Sequence, residues 1–123
     1  MEKGLRILLV DDSRIILNRL STQLLELENV QKVVKATTFQ KAVESLNEEE
    51  FEIALLDINL PGKSGIDLLE YITVNYPVIK SIMVTNQGSE HYRNICAQLG
   101  SFGFIDKSHE IENLPTLILK AAC

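Results

Sequence analysis

The chain has 123 residues, of which 46% are hydrophobic and 24% charged, with 6 Gly and 3 Pro. That is one ordinary globular domain, long enough to bury a core without staples and too short for two cores. Lys and Arg number 12 against 17 Asp and Glu, so the net charge is −5, which argues against a broad basic face for nucleic acid.

Leu5 to Val10 is a short apolar run closed by Asp11-Asp12, the pattern of a strand buried on both faces. From Ser13 the residues Ile16, Leu17, Leu20, Leu24 and Leu27 recur at three- and four-residue steps, which predicts a helix to about Glu28 with Asp12 or Ser13 as its cap. Val30 to Ala36 is β-branched and brief, and Ala42, Val43 and Leu46 mark a helix ending in Glu48-Glu49-Glu50. Phe51 to Asp57 reads as another apolar strand, Leu60-Pro61-Gly62 as a turn, and Ser64 to Asn75 as a helix. Ile79 to Thr85 is a further strand, Ser89 caps a helix that ends at Gly100, and Phe102 to Asp106 leads into Lys107. Pro115 is tolerated only in a first turn, which places the last helix at Leu114 to Ala122. A strand followed by a helix, five times over without hairpin signals, predicts an α/β fold with a parallel sheet covered on both faces.

The apolar runs at Ile7 to Val10 and Ile53 to Leu56 are far too short to span a membrane, and the stretch behind Lys3 and Arg6 is too short for a signal peptide. A cytoplasmic protein with no membrane partner is expected. Cys96 and Cys123 have neither metal-ligand spacing nor the density of a disulfide scaffold.

In an open parallel sheet, ligands bind beyond the carboxyl ends of the strands. Asp11 and Asp12 follow the first strand, Asp57 the third, Thr85 closes the fourth, and Lys107 follows the fifth. Each alone has an ordinary reading as a cap, a strand end or a solvated lysine, but the fold brings them to one rim. Three carboxylates in contact repel by roughly 4 kcal/mol per pair at ~4 Å and an effective dielectric near ~20, so positive charge must sit among them. Carboxylate oxygens with a backbone carbonyl and waters suit a hard cation, Mg²⁺ before Zn²⁺, and Lys107 supplies a second positive charge. A carboxylate so placed can attack phosphorus, and a Thr hydroxyl nearby can bond the phosphoryl group that arrives.

Four stretches occur in order: Val10-Asp11-Asp12-Ser13, then Leu55-Leu56-Asp57-Ile58-Asn59-Leu60-Pro61-Gly62 with Gly65, then Val84-Thr85, and Gly103-Phe104-Ile105-Asp106-Lys107. In these the chain resembles a response-regulator receiver domain, the phosphoacceptor half of a two-component system, over its whole length. The resemblance implies a flavodoxin-like, doubly wound five-stranded sheet of order 2-1-3-4-5 and one receiver domain at residues 1–123. It implies that Asp57 is phosphorylated by a sensor histidine kinase or phosphotransfer protein, with no enzymatic activity beyond its own Mg²⁺-dependent phosphorylation and dephosphorylation. Asp12 is then a direct Mg²⁺ ligand, Asp11 holds the metal through water, and the backbone carbonyl of Asn59 completes the protein's share. Thr85 becomes the switch hydroxyl, Lys107 the phosphate contact and Phe104 the switch aromatic.

Two positions depart from the family pattern. Asn86 stands where many receivers carry a small residue, and is expected to crowd the approach to Asp57. Ser108 stands where many carry Pro, which disfavours a cis peptide at a cost of about 2.5 to 4 kcal/mol. His91 and His109 read as surface residues. Unless the chain is a piece of a longer regulator, no output domain is expected after residue 123. The readout is therefore expected to be a protein partner or self-association through the fourth helix, fifth strand and fifth helix, including His91, Tyr92 and Arg93.

Rival readings fare worse. Gly62-Lys63-Ser64 would end a P-loop only with Gly at position 57, where Asp57 repels phosphate. A haloacid-dehalogenase-type phosphatase needs a second Asp two residues after the first, and a flavodoxin needs an uncharged phosphate loop after the first strand. The remaining alternative is a pseudo-receiver, the same fold acting as a phosphorylation-independent binding module.

Overall fold

A strand packed by helices on both faces must be apolar on both, and the buried runs in this chain satisfy that condition. The computed structural model describes residues 4–86 and 89–122; Lys3 and Cys123 lie outside the described residues. In chain order the elements are β1 (Leu5–Val10), α1 (Arg14–Leu25), β2 (Val30–Ala36), α2 (Phe39–Glu48), β3 (Ile53–Leu56) and α3 (Gly65–Asn75). They continue with β4 (Lys80–Thr85), α4 (Glu90–Gln98), β5 (Gly103–Asp106), a 3-10 turn (Ile111–Asn113) and α5 (Leu114–Ala122). The strands are all parallel, in the order β2-β1-β3-β4-β5. This is the expected α/β flavodoxin-like, doubly wound fold.

Register aligns the carboxyl ends. Val10 lies opposite Ala36 and Leu56, Leu56 opposite Met83, and Thr85 opposite Asp106. Backbone bonds then carry on one residue beyond the strands: the Asp11 N–H donates to the Ala36 carbonyl at 3.1 Å, Asp57 to Val10 at 3.0 Å, and Lys107 to Thr85 at 2.9 Å. The backbones of Asp11, Asp57 and Lys107 are thus fixed by the sheet itself, before any side chain is considered.

The sheet divides the core. On one side Ile7, Leu9, Leu55 and Ile82 pack against α1 and α5 through Leu17, Leu20, Leu24 and Ile118. On the other, Leu8, Val10, Leu56 and Met83 pack against α2, α3 and α4 through Ala42, Leu46, Leu69 and Cys96. Burial raises the Cys96 thiol above its ordinary pKa, so this sulfur stays protonated and packs as a small hydrophobe.

Each of the first four helices opens on a side-chain cap. Ser13 accepts from the Ile16 N–H, Thr38 from Lys41, Ser64 from Asp67 and Ser89 from Tyr92, and Ser64 with Asp67 completes a reciprocal capping box. Of the two candidates at the start of α1, Ser13 is therefore the cap.

Several boundaries fall short of the sequence expectation. Helix α1 stops at Leu25, because Glu26 and Leu27 tighten into three-residue bonds to Gln23 and Leu24, and the Val30 N–H reaches the Leu27 carbonyl to start β2. Leu27 keeps the apolar period only because it packs on the core from that turn. Strand β3 begins at Ile53, since the Arg6 N–H is taken by the Glu52 side chain at 2.7 Å rather than by a backbone carbonyl. Helix α4 ends at Gln98 and β5 begins at Gly103, leaving Phe102 exposed beside them. No cis peptide occurs among the described residues, in line with Ser108 after Lys107.

Candidate functional site

Asp11 and Asp57 are buried, 2% and 6% exposed, although carboxylates are seldom buried unless paired. Their pairing comes from Lys107, whose Nζ donates to Asp11 Oδ2 at 2.5 Å and to Asp57 Oδ2 at 3.2 Å. The remaining oxygens are held locally: Asp11 Oδ1 accepts the Ser13 N–H at 2.9 Å and Asp57 Oδ1 the Asn59 N–H at 3.3 Å. One ammonium from the end of β5 thereby joins carboxylates from the ends of β1 and β3.

Asp12 is exposed and completes the cluster, with carboxylate oxygens of Asp11, Asp12 and Asp57 all within 4.8 Å of one another. Three negative charges face one positive charge here. At that spacing each carboxylate pair repels by roughly 3 kcal/mol with an effective dielectric near ~20. The donors are all hard oxygens from side chains that a cation would draw together, so the residues fit a divalent metal of the Mg²⁺ class better than a thiophilic one.

Thr85 is fully buried at the last position of β4. Phe104, in β5, is half-buried against the second half of the core, with the Arg93 guanidinium 4.8 Å from its ring centroid. Arg93 also pairs with Glu110, and Glu110 Oε1 accepts the Asp106 N–H at 2.9 Å. That backbone bond, with Arg93 adding to it, lowers the Glu110 pKa below its ordinary value. An ion pair and a cation–π contact therefore tie α4 to both ends of β5 and the loop after it. The sequence reading missed this network, whose signal is an Arg and an acid placed 17 residues apart on elements that the fold makes neighbours.

The two departures from the family pattern meet each other. Asn86 is exposed, and its Oδ1 accepts the Ser108 Oγ hydroxyl at 3.4 Å, so the side chain is engaged by the next loop. His91 and His109 are exposed as expected. Asn59 is exposed in the loop after β3.

A model of the response regulator receiver domain matches residues 7–119. The chain belongs to that family. Among solved structures it is similar to the CheY-like response regulator receiver domain protein of Methanospirillum hungatei JF-1, with a TM-score of 0.83 and 31% identity over 98% of this chain and 95% of that one. The response regulator protein TrrA of Thermotoga maritima, solved in complex with Mg(2+)-BeF, has a TM-score of 0.83 at 27% identity, covering 98% of this chain and 99% of that one. Among curated proteins, the response regulator protein PilR of Pseudomonas aeruginosa is 33% identical over 86 residues, which is 70% of this chain and 19% of PilR. This receiver chain spans between 19% and 58% of the length of the first curated relatives it matches. No helix among the described residues is long and apolar enough to cross a membrane.

Proposed function

We propose that residues 1–123 form one phosphoacceptor receiver domain of a two-component system, in which Asp57 takes a phosphoryl group from the phosphohistidine of a sensor histidine kinase or phosphotransfer protein. The observation that carries this reading is the convergence of Asp11, Asp12 and Asp57 on Lys107 at the carboxyl edge of a parallel sheet. Asp11, Asp12, Asp57 and the backbone carbonyl of Asn59 would hold Mg²⁺, which supplies neutralisation of charge on the transferring oxygens.

The chain's own residues supply the rest. An Asp57 carboxylate oxygen attacks phosphorus as the P–N bond to the donor imidazole breaks, with the bonding electron pair leaving on the ring nitrogen. Lys107 exchanges its bond to Asp57 for one to the phosphoryl oxygens. Thr85 donates its hydroxyl to the same group and Phe104 moves into the space this vacates, repacking α4, β5 and α5 as the surface for a downstream protein or a second copy. Between two such packings a small population difference is enough to be biased by one phosphoryl group. A groove of about 560 Å³ between α1 and the start of α5 offers a face for the donor: Leu20, Leu24 and Leu114 line it, and so does Lys107. Action in the cytoplasm, without nucleic acid or membrane contact, belongs to the same reading.

Incubating the protein with Mg²⁺ and acetyl phosphate should add a single phosphoryl group to the intact mass, and chelating the metal should prevent it. No adduct from folded protein under saturating donor would instead favour the phosphorylation-independent binding module. The switch has its own test in Phe104→Ala, which should still accept the phosphoryl group while the amide resonances of α4 lose most of their phosphorylation-dependent shifts. Shifts of wild-type size in that variant would exclude Phe104 from the coupling.

A further inference from the structure

The acidic character of this chain hides one basic cavity. Arg6, Lys32, Arg93 and Lys107 each pair with a carboxylate. Among the described residues Arg14 and Lys41, like Arg19, Lys63, Lys80 and Lys120, pair with none, and Lys35 donates to the neutral Asn18 Oδ1 at 3.0 Å. Arg14, Lys35 and Lys41, with Asn18 and Thr37, line a cavity of about 260 Å³ at the carboxyl end of β2. No acidic side chain lines it.

The helices on either side point to the same conclusion. Helices α3 and α4 carry Asp67 and Glu90 in their first turns, as the positive end of a helix dipole favours. Helices α1, α2 and α5 carry no acid there, and of these α1 and α2 present a cation, Arg14 and Lys41. Each of these cations opposes its own helix dipole and repels the other two, an arrangement that costs stability unless an anion sits among them. A guanidinium fork, two ammonium groups, an amide and a hydroxyl match the donors that a tetrahedral dianion requires. The cavity exceeds what a bare phosphate fills, leaving room for a small organic group.

We propose that this cavity is a second anion site, separate from the Asp57 cluster, which binds the phosphate group of free phosphate or of a small phosphate monoester. The two sites differ in sign when Mg²⁺ is absent. The Asp11, Asp12 and Asp57 carboxylates outnumber Lys107 and repel an anion, whereas the cavity at Arg14, Lys35 and Lys41 attracts one. Binding measured without Mg²⁺ therefore reports on the basic cavity, whatever becomes of the phosphoacceptor reading.

Inorganic phosphate and glycerol 3-phosphate would be titrated separately into the full, ¹⁵N-labelled chain in Mg²⁺-free buffer, with chloride holding ionic strength constant. Saturable shifts are expected in the amides of Arg14, Asn18, Lys35, Thr37 and Lys41. Tighter binding of the ester would identify an organophosphate as the ligand, and equal affinity would identify phosphate itself. Arg14→Gln combined with Lys41→Gln should weaken either by about tenfold or more, while Lys120→Gln, in the last turn of α5, should leave it unchanged. Both cations are exposed, so the spectrum of the double variant should otherwise match wild type. Shifts that never saturate, shifts confined to the surroundings of Lys107, or undiminished affinity in the double variant would overturn the proposal.

Discussion

Asp57→Asn is expected to abolish the phosphoryl adduct and, in Mg²⁺-free buffer, to make the protein more stable. Asn keeps the shape and can still accept the Asn59 N–H, which bonds Asp57 Oδ1 at 3.3 Å, but it is not a nucleophile toward phosphorus. On the stability side, the substitution removes two carboxylate repulsions of roughly 3 kcal/mol each and one Lys107 attraction of roughly 5 kcal/mol, taking an effective dielectric near ~20. Asp12 is exposed and its share is screened, while relieving the desolvation of a buried charge acts in the variant's favour. The surplus is about 1 kcal/mol toward the variant. Mg²⁺ should reverse the ranking, because a ligand bound only by the folded state adds about 2.7 kcal/mol at a hundred times its Kd. Urea unfolding of both proteins with and without Mg²⁺ reads this directly. A variant less stable than wild type in both buffers would show that Lys107 outweighs the carboxylate repulsion and that the cluster has no need of a metal.

Gly65→Ala should be the more damaging change to the fold. Gly65 opens α3, and a Cβ there would lie 1.8 Å from the Asp57 carbonyl oxygen, 2.6 Å from its carbonyl carbon and 2.9 Å from the Ile58 Cα. These are backbone atoms tied to β1 through the Asp57 N–H, so no side-chain rotation relieves the clash. A loss of about 3 kcal/mol or more is expected, seen as a fall in the urea midpoint with the slope unchanged. The displaced backbone carries Asp57 with it, so the protein that remains folded should accept the phosphoryl group more slowly. Gly62→Ala is the internal comparison: Gly62 has φ +75° but open space around it, and the cost there should be about 1 kcal/mol. Equal destabilisation by the two changes would mean that the contact with Asp57 does not set the effect.

These effects trace to residues whose positions were readable in the sequence to different degrees. Leu5 to Val10 was legible to the residue because burial on both faces leaves an apolar run, broken only by Arg6, with an acid at its end. Ser89 was legible as a cap for a similar reason, since a cap is a local bond between a side chain and an amide three residues on, whereas Ser13 was open against Asp12 and Ser64 was read as helical one residue before α3 begins. The end of α1 was not, because Leu27 is apolar for the sake of the core while its backbone already belongs to a turn. Nor was the start of β3, which depends on Glu52 reaching Arg6 across 46 positions. The cluster at Asp11, Asp12, Asp57 and Lys107 followed from topology, but the two hydrogen bonds from Lys107, one to Asp11 and one to Asp57, are a fact of side-chain length and register. The basic cavity was hidden because Arg14, Lys35 and Lys41 belong to three different elements. Its trace in the sequence is a cation in the first turn of α1 and of α2.

The division of the core by the sheet has a consequence for how signals travel. Phe104 and Cys96 belong with α2, α3 and α4, whereas α1 and α5 rest on the opposite side with Leu20, Leu24 and Ile118. The strands between them share a backbone but not a side-chain contact surface, since neighbouring residues point to opposite faces. A rearrangement of Phe104 and α4 can therefore reach α5 only if the backbone of β5 carries it across the sheet. The sheet is thus a partition that side-chain repacking alone does not cross, and a change in both compartments requires the strand between them to shift.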